Sequence, residues 1–445
     1  MQIQSMLKNG QQVRIITSTE KIISISEKLV INQILGKGTQ GHVYSVSLPD
    51  KSNLALKLYH QATLESDTTL EKRIIKLVNI GSPSAHFCWA LEFISVETIE
   101  DSSRKFKGYL MPLQATDFVS PTKFLNGQIK MDFKYLFKAC LNLSEAFSSL
   151  HLKGLCYKDV SINNFFFNPH NGKCSVIDID NICYDNDFDY SHTVLGTPRF
   201  MAPEIVEGVS RPTIHSDNHS LAVLLFYLLL VGHPLEGEKE KNIKIFDIAA
   251  QKFLYGSNAT YIFDLTNDSN RPDPIVHSAC LTMAEILPEF IMKIFNDAFT
   301  TSLHNPNARI PDSKWSIELK RLIDLTSHCT NCGQEIFLSS LDVDSIKCWS
   351  CAADVKPIKI SIDDSYCIAS PGLVLKLKDG TEYGLVVRHP SDPKILGLKN
   401  LSPEVWKVKA SGKAEKMIHT GMSAALGEGV SIDTNGLVAK LIEIN

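Results

Sequence analysis

The fold assignment of this chain depends on the stretch Tyr157-Lys158-Asp159-Val160-Ser161-Ile162-Asn163-Asn164. It places an aspartate five residues before an asparagine, just after a predicted helix and just before the apolar run of residues 165–167. An aspartate and an asparagine at this spacing occur by chance in many loops, so the octet alone is weak evidence. Its interpretation depends on whether further motifs stand on both sides of it, in a fixed order and at fixed distances.

Upstream, the pattern G-x-G-x-x-G-x-V has its defining positions at Gly36, Gly38, Gly41 and Val43. Glycines let the backbone pass close over phosphate groups, with N–H groups free to face them. The same glycines also fit a dinucleotide-binding turn, which requires a helix next and an acidic residue about 20 positions further on. Instead a predicted strand follows over residues 54–57, with Ala55 inside it and Lys57 at its end. That order is typical of a glycine-rich hairpin followed by a strand lysine.

Apolar residues at three-to-four spacing predict a helix over residues 70–78. Glu71 lies on this helix, 14 residues after Lys57, and is our candidate for the carboxylate that pairs with that lysine. Glu65 is the alternative. The alternative for either glutamate is an exposed helix residue that does not pair with Lys57.

Residues 107–114 predict a strand that runs into a hinge. We assign Met111 to the back of an adenine pocket and the backbone of Pro112 and Gln114 to contacts with the base. Pro112 lacks an N–H, but a hinge residue that offers only its carbonyl tolerates this. A strand that simply ends in a proline turn remains an equal alternative on local evidence.

Downstream of the octet, Asn171-Gly172 is a hairpin-turn dipeptide, and a predicted strand over residues 174–177 follows it. Asp178 comes next, 19 residues after Asp159. Carboxylate and amide oxygens are ligands that Mg²⁺ accepts, so Asn164 and Asp178 are candidates for two ions that bridge nucleotide phosphates.

The segment of residues 196–204, Gly-Thr-Pro-Arg-Phe-Met-Ala-Pro-Glu, completes a resemblance to eukaryotic-type serine/threonine protein kinases over residues ~30 to ~325. The resemblance implies an α+β, bilobal fold that uses ATP and Mg²⁺ to phosphorylate protein hydroxyls. It also implies roles for individual residues. Asp159 and Lys57 are catalytic, Asn164 and Asp178 bind Mg²⁺, and Thr197 supports Asp159. Glu204 pairs with Arg309, and Asp217 braces the catalytic loop.

Three residues depart from the family pattern. Lys158 replaces the arginine beside the catalytic aspartate and lacks its bidentate fork. Ser161 replaces a lysine at the γ-phosphate, which removes a positive charge from the transition state. Asp180 replaces the glycine after the metal aspartate and is expected to stiffen that loop. These departures keep a catalytically weak scaffold as an alternative to an active kinase.

Within the family, the chain resembles bacterial kinases of tellurite-resistance-associated stress systems. The cues are residues 221–223, 232–237 and 269–272, and the cysteine pairs that follow residues 315–325. The resemblance implies a von Willebrand-type protein and a metal-dependent phosphatase as partners. A small-molecule kinase of the antibiotic-phosphotransferase type is disfavoured by the complete segment up to Glu204 and by Asp217.

Two C-x-x-C pairs follow, formed by Cys329, Cys332, Cys348 and Cys351. Four thiolates at this spacing predict a zinc ribbon with a structural Zn²⁺, against the alternative of four buried thiols.

Alternating apolar and polar runs over residues 357–445, separated by turn dipeptides, predict a small β-sandwich. It faintly resembles a forkhead-associated domain, but no phosphothreonine-binding residues are recognisable, so we expect a protein-docking role.

A chain of 445 residues is too long for one compact core, so we expect several domains. We place an N-terminal β extension at 1–26, the kinase domain at 27–326 with its N-lobe to about 111, the ribbon at 327–356 and the β-rich domain at 357–445.

The net charge of −4 provides no basic field for nucleic acid. The longest apolar run, residues 221–231, falls short of the ~20 needed to span a bilayer and predicts a buried helix. Seven cysteines are scattered along the sequence and four form one candidate metal site. This pattern favours reduced thiols in the cytoplasm over a disulfide framework.

Overall fold

The structure is a computed structural model that describes residues 7–17, 28–101, 104–185, 195–362, 365–392, 394–434 and 442–444. The chain divides into two compact units. Unit 1 comprises Met1–Met131, Lys138–Cys280 and Phe295–Ser316, and unit 2 comprises Asp132–Phe137, Leu281–Ile294 and Ile317–Asn445. Residues 18–26 of the predicted N-terminal β extension and residues 435–441 of the predicted β-sandwich lie outside the described residues.

Six strands of unit 1 form a closed antiparallel barrel in the order β1-β2-β3-β4-β6-β5. They are β1 (Gln12–Thr17), β2 (Lys28–Lys37), β3 (Gly41–Ser47), β4 (Asn53–Tyr59), β5 (Glu92–Thr98) and β6 (Lys105–Pro112). Strand β1 closes the barrel because it pairs with both β2 and β5. Its side chains alternate, with Val13 and Ile15 buried in the barrel core and Gln12 and Arg14 exposed.

The helices of the described residues are α1 (Gln61–Ser66), α2 (Leu70–Ile80), α3 (Pro121–Leu125), α4 (Phe133–His151), α5 (Pro203–Val206), α6 (Ile214–Leu230), α7 (Glu238–Lys241), α8 (Ile248–Tyr255), α9 (Ser278–Ile286), α10 (Glu289–Phe299) and α11 (Asp312–Asp324). Short strands of unit 1 pair as β7 (Leu155–Cys156) with β10 (Cys183–Tyr184), and as β8 (Phe165–Phe167) with β9 (Cys174–Val176). None of the helices in the described part of the chain has the length and apolarity needed to cross a membrane.

Helix α6 is the buried helix that the apolar run predicted. It begins at a capping box, in which the Thr213 side chain accepts a hydrogen bond from the Ser216 backbone. Its residues from Leu221 onward are almost all buried, and Phe226 packs edge-on against Phe295 at a ring distance of 5.1 Å. The polar first turn and the apolar remainder give the helix two roles, since one end can hold polar groups while the other fills the core.

Unit 2 contains the four-cysteine segment and two short hairpins, β11 (Thr326–His328) with β12 (Glu335–Phe337) and β13 (Ile346–Lys347) with β14 (Asp354–Val355). The Glu335 carboxylate accepts hydrogen bonds from the backbone N–H groups of Phe133 and Lys134, at the start of helix α4. A carboxylate at the N-terminus of a helix satisfies N–H groups that have no partner within the helix.

The C-terminal part of unit 2 consists of two antiparallel sheets. The six-stranded sheet has the order β16 (Ser365–Ile368), β15 (Lys359–Ile362), β24 (Ile442–Ile444), β23 (Val430–Asp433), β20 (Trp406–Ala410) and β21 (Lys416–Ile418). The four-stranded sheet has the order β17 (Val374–Lys376), β18 (Glu382–Arg388), β19 (Leu396–Asn400) and β22 (Ser423–Ala425). Both sheets contribute to one apolar cluster, in which Trp406 and Ile432 lie with Val386 and Leu398.

Candidate active site

Asp217, in the first turn of helix α6, holds the loop that carries Asp159. Its buried carboxylate accepts hydrogen bonds from the backbone N–H groups of Tyr157, at 2.5 Å, and Lys158, at 2.9 Å. Lys158 has a left-handed φ of 73°, a conformation that costs a non-glycine residue about 1 kcal/mol. The two bonds to Asp217 offset that cost, so the predicted bracing of the loop is confirmed.

Both carboxylate oxygens of Asp159 are held by neighbouring side chains. Thr197 Oγ1 donates to Oδ1 at 2.8 Å, and Asn164 Nδ2 donates to Oδ2 at 3.2 Å and to the Asp159 carbonyl at 3.0 Å. Three residues that the sequence singled out separately therefore lie together, and the orientation of the Asp159 carboxylate is fixed before any substrate binds.

Asp178 follows strand β9 and lies next to Asn164, because Ile177 N donates to the Asn164 carbonyl at 3.0 Å. Asp178 also has a left-handed φ, of 61°, and its side chain is 30% exposed. A non-glycine residue in this conformation is uncommon, and such residues cluster at functional sites. The exposed fraction leaves carboxylate oxygen available to a ligand.

Lys57, on strand β4, pairs with two carboxylates of the same loop. Its Nζ lies 2.8 Å from Asp178 Oδ1 and 2.5 Å from Asp180 Oδ2. Burial opposes the charge on Lys57, but the attraction of Asp180 and then Asp178 outweighs it and raises the pKa of the ammonium above its ordinary value. Lys57 therefore stays positively charged in the buried site.

The prediction that Glu71 pairs with Lys57 is wrong. Glu71 binds Lys107 Nζ at 2.7 Å, and its side chain is 41% exposed. The alternative, Glu65, accepts a hydrogen bond from Gln61 on the exposed side of helix α1. Neither carboxylate reaches Lys57, because helix α2 turns Arg73 rather than Glu71 toward the interior, where Arg73 is buried.

The glycine-rich motif forms the turn between β2 and β3, closed by a hydrogen bond from Gly38 N to the Gly41 carbonyl at 2.9 Å. Gly41 must be glycine, since a Cβ there would lie 2.1 Å from the Leu58 carbonyl oxygen. A Cβ at Gly36 would meet no atom within 4 Å, so the protein's own packing does not require glycine at that position. Val43 pairs with Lys57 across β3 and β4.

The hinge residues lie at the end of strand β6. Met111 pairs with Ala55, and Pro112 with Leu54, in the register between β4 and β6. Pro112 and Gln114 also line a cavity of about 520 Å³ whose other walls include Phe87, Trp89, Phe118 and Cys174. Two of the three residues assigned to adenine therefore line this cavity, whereas its lining includes none of the glycine-turn residues.

The sequence model of the family described as "Protein kinase domain" matches residues 29–297, more than half of the chain. The chain belongs to this family. The probable serine/threonine-protein kinase gdt4 of Dictyostelium discoideum is 28% identical over 49% of this chain and 13% of its own length. Protein kinase YegI of Escherichia coli O157:H7 is 24% identical over 74% of this chain and 49% of its own length. The chain thus spans less than half the length of these relatives. The solved autoinhibited serine kinase domain of titin is 16% identical, with a TM-score of 0.48 over 66% of this chain and 81% of that one.

Buried Arg309 and half-buried Glu204 form a bidentate pair in the kinase domain, as expected from the resemblance. Arg309 Nη1 and Nη2 donate to the two Glu204 oxygens at 2.7 and 2.6 Å, and Nη1 also bonds the His215 carbonyl. The Arg309 side chain is 2% exposed. A planar fork on a carboxylate is the strongest form of such a contact.

We expect Arg309→Ala to lower the free energy of unfolding by about 3–5 kcal/mol, because Glu204 keeps its charge without a partner. Urea unfolding measures the change. The double variant Arg309→Met with Glu204→Gln removes both charges and should be less destabilised than Arg309→Ala alone. An unfolding midpoint that Arg309→Ala leaves unchanged would show that the pair contributes nothing.

His151, at the end of helix α4, lies between two buried carboxylates. Its Nδ1 is 2.6 Å from Asp312 Oδ2, and its Nε2 is 3.3 Å from Asp217 Oδ2. Burial disfavours the charged ring, but the hydrogen bonds to Asp217 and Asp312 outweigh it and raise the pKa of His151 to about 9. His151 is therefore protonated at neutral pH and ties Asp217, the brace of the catalytic loop, to helix α11.

A raised pKa stabilises the folded state while the ring is charged. The contribution is complete below the ordinary pKa of 6.5 and is lost as pH rises toward about 9. We expect the kinase domain to lose up to about 3 kcal/mol of stability across this window, and His151→Gln to flatten the dependence. Unfolding in urea at pH 6.5 and 9 tests this. His419→Gln, at an exposed histidine, is the control and should keep the wild-type slope.

The four predicted cysteines of unit 2 come together. All four Sγ atoms lie within 4.8 Å of one another, with 3.6 Å between Cys329 and Cys351 and 3.7 Å between Cys332 and Cys348. A tetrahedral Zn²⁺ with Zn–S bonds of about 2.3 Å separates its ligands by about 3.8 Å. The Cys329 sulfur also accepts hydrogen bonds from the backbone N–H groups of Asn331 and Cys332. The cluster therefore fits a zinc ion.

Three residues of the site were not recognised as contacts of Lys57 or of its loop. Asp180 pairs with Lys57, Tyr109 OH donates to Asp180 Oδ1 at 2.8 Å, and Arg73 Nε donates to the Asp180 carbonyl at 2.6 Å. The available signals were an acidic residue where the family has glycine and an arginine at a buried helix position. Neither names its partner, because the partners are far apart in the sequence.

Proposed function

We propose that this chain is an ATP- and Mg²⁺-dependent serine/threonine protein kinase. The observation that carries the proposal is the convergence of Lys57, Asp159, Asn164 and Asp178 in one site, with Thr197 bonded to Asp159. The matched family and relatives whose names include serine/threonine kinases support the reaction class. The complete segment of residues 196–204 favours protein over small-molecule substrates.

The site fits nucleotide and metal on its own geometry. The open space at Gly36 suits a glycine turn that lies against phosphates, and the partly exposed Asp178 carboxylate beside Asn164 provides the oxygen ligands that Mg²⁺ prefers. When bound, Mg·ATP supplies the transferable phosphoryl group and the positive charge that balances it. In this proposal Met111, Pro112 and Gln114 bind adenine, and Lys57 binds the α- and β-phosphates.

The residues of the chain then act on the protein substrate. Asp159, held by Thr197 and Asn164, accepts a hydrogen bond from the serine or threonine hydroxyl and takes its proton. Ser161 adds no positive charge at the γ-phosphate, so the rate should depend strongly on Lys57 and on the metal. A scaffold with little catalysis remains the alternative function, motivated by Lys158, Ser161 and Asp180.

We also propose that the cysteine cluster binds a structural Zn²⁺ and that the two C-terminal sheets form a small, degenerate forkhead-associated-like β-sandwich that docks partner proteins. Four sulfur ligands leave no open position for catalysis at the metal. A bacterial stress-signalling complex in the cytoplasm, with a von Willebrand-type protein and a metal-dependent phosphatase, is the proposed setting. The match to the bacterial protein kinase YegI over 74% of the chain supports only the bacterial part of this proposal.

The test is a transfer assay on the purified full chain with Mg²⁺ and γ-labelled ATP, followed by mapping of the labelled residues. We expect label on serine and threonine of the chain itself or of a generic basic protein. Label confined to tyrosine would contradict the substrate class. Absence of label, together with an unchanged melting temperature in Mg·ATP, would favour the scaffold.

A further inference from the structure

Asp180 is the most completely enclosed carboxylate beside Lys57. The residue is 1% exposed, against 30% for the side chain of Asp178 two positions earlier. Its Oδ2 lies 2.5 Å from Lys57 Nζ, and its Oδ1 accepts the hydroxyl of Tyr109 at 2.8 Å. Both oxygens thus have a partner from the barrel, Lys57 from β4 and Tyr109 from β6.

Helix α2 contributes a cation to this cluster instead of a carboxylate. Arg73 donates through Nε to the Asp180 backbone carbonyl at 2.6 Å, and through Nη2 to Asp67 Oδ2 at 2.7 Å. The acidic residue of the helix, Glu71, faces outward to Lys107 with both side chains more than 40% exposed. The helix therefore contacts the loop through the Arg73 side chain, which binds the backbone of that loop. Lys57 forms its ion pairs with Asp178 and Asp180 of the loop.

We propose that Asp180 is the positioning residue that holds Lys57 for the nucleotide phosphates, and that Arg73 couples helix α2 to Asp180. The proposal rests on the proposed kinase function and assigns the partner of its lysine. A single loop would then supply both the metal ligand, Asp178, and the carboxylate that orients the lysine. A shift of helix α2 would reach Lys57 through the Arg73 bond to that loop.

A role for Asp180 as a direct metal ligand fits the geometry less well. Its two oxygens are engaged by Lys57 and Tyr109, and the residue has almost no exposed surface. Asp178 has the exposed carboxylate, and it lies beside Asn164 through the bond from Ile177 N to the Asn164 carbonyl. The distinction is measurable, because loss of a metal ligand raises the Mg²⁺ requirement, whereas misplacement of Lys57 weakens use of ATP at saturating Mg²⁺.

The experiment compares the full chain with Asp180→Asn, Asp180→Glu and Glu71→Gln. Asp180→Asn should lower kcat/KM for ATP about 10- to 100-fold, with part of the loss in KM, as expected for a residue that orients a ligand-binding group. The Mg²⁺ concentration at half-maximal rate should change less than about twofold, since Asp180 does not bind the metal. Asp180→Glu restores the charge and should recover part of the loss. Glu71→Gln makes the same carboxylate-to-amide change on helix α2 and should keep kcat/KM within about twofold.

Because Asp180 is buried, the melting temperature of each variant is measured first. If Asp180→Asn does not fold, Tyr109→Phe takes its place, since it removes the hydroxyl donor to Asp180 and keeps the ring. It should lower kcat/KM for ATP about 3- to 10-fold. A wild-type chain without transfer activity would defeat the proposed function. An active wild type would instead overturn the positioning role if the Asp180 variants matched it or exceeded it, or if Glu71→Gln lost more activity than Asp180→Asn.

Discussion

The substitution Asp178→Asn is expected to reduce phosphoryl transfer by about 10³-fold or more while the fold stays intact. Asp178 provides the partly exposed carboxylate beside Asn164, and an amide in its place removes a full negative charge from the proposed Mg²⁺ site. Loss of metal charge stabilisation costs several kcal/mol in the transition state, and each 1.4 kcal/mol is about tenfold in rate. Initial rates with labelled ATP measure the effect.

A second variant, Asp159→Asn, separates the two carboxylates. It should also abolish transfer, because the amide cannot accept the proton of the substrate hydroxyl. Nucleotide binding should survive in Asp159→Asn and weaken in Asp178→Asn, which the thermal shift caused by Mg·ATP distinguishes. The control is Asp264→Asn, at a partly exposed loop carboxylate bonded to Thr266, which should keep the wild-type rate. Autophosphorylation that persists undiminished in Asp178→Asn would remove the assignment of the metal site.

The parts of the site that lie in short motifs were predictable from the sequence. Lys57, Asp159, Asn164 and Asp178 each stand at a fixed place in a recognisable local pattern. Strand pairing and the Asp217 brace then bring those patterns together, as the resemblance implies. The structure brings these side chains together, and their roles in phosphoryl transfer stay a prediction from the resemblance.

The Glu71 assignment failed because it used a distance in sequence and neglected the phase of the helix. Leu70, Ile74 and Leu77 mark the buried face of helix α2. Arg73 lies three residues after Leu70 and four before Leu77, which places it on that face, whereas Glu71 is about 100° away from Leu70. The periodicity of the helix contained the correct answer, but a buried arginine gives no indication of which group it binds.

The role of Asp180 could not be predicted from the local sequence, because its partners come from distant segments of the chain. Tyr109 is 71 residues before it and Arg73 is 107 residues before it. The sequence indicated only that a carboxylate replaces a glycine. The closure of the barrel by β1 and the placement of β24 beside β15 are likewise long-range pairings that strand periodicity does not determine.

Removal of one zinc ligand is expected to unfold the ribbon. Cys329→Ser leaves three thiols of the cluster, and residues ~327–356 have a small apolar core of their own, in which Ile336 and Val355 lie beside the cysteines. Structural zinc contributes on the order of 10 kcal/mol of apparent folding free energy in such modules, so the segment should not stay folded without it. Metal analysis by mass spectrometry should show about one zinc per wild-type chain and none in the variant.

The consequences inside unit 2 can be mapped by hydrogen exchange. Backbone amides of residues 329–351 should lose protection, and so should those of Phe133 and Lys134, because Glu335 of the ribbon accepts their hydrogen bonds. Cys367→Ser is the matched control. This half-buried cysteine of strand β16 lies outside the cluster, so its variant should keep zinc and protection.

The same variant tests the predicted separation of the ribbon from the kinase domain. Gly36, Lys57 and Asp178 all belong to unit 1, so we expect Cys329→Ser to retain the thermal shift caused by Mg·ATP. Binding to a partner protein should be lost if the segments after residue 326 form the docking surface. If nucleotide binding disappears together with zinc, while Cys367→Ser keeps both, the ribbon is an integral part of the kinase domain and the boundary placed at 326 is wrong.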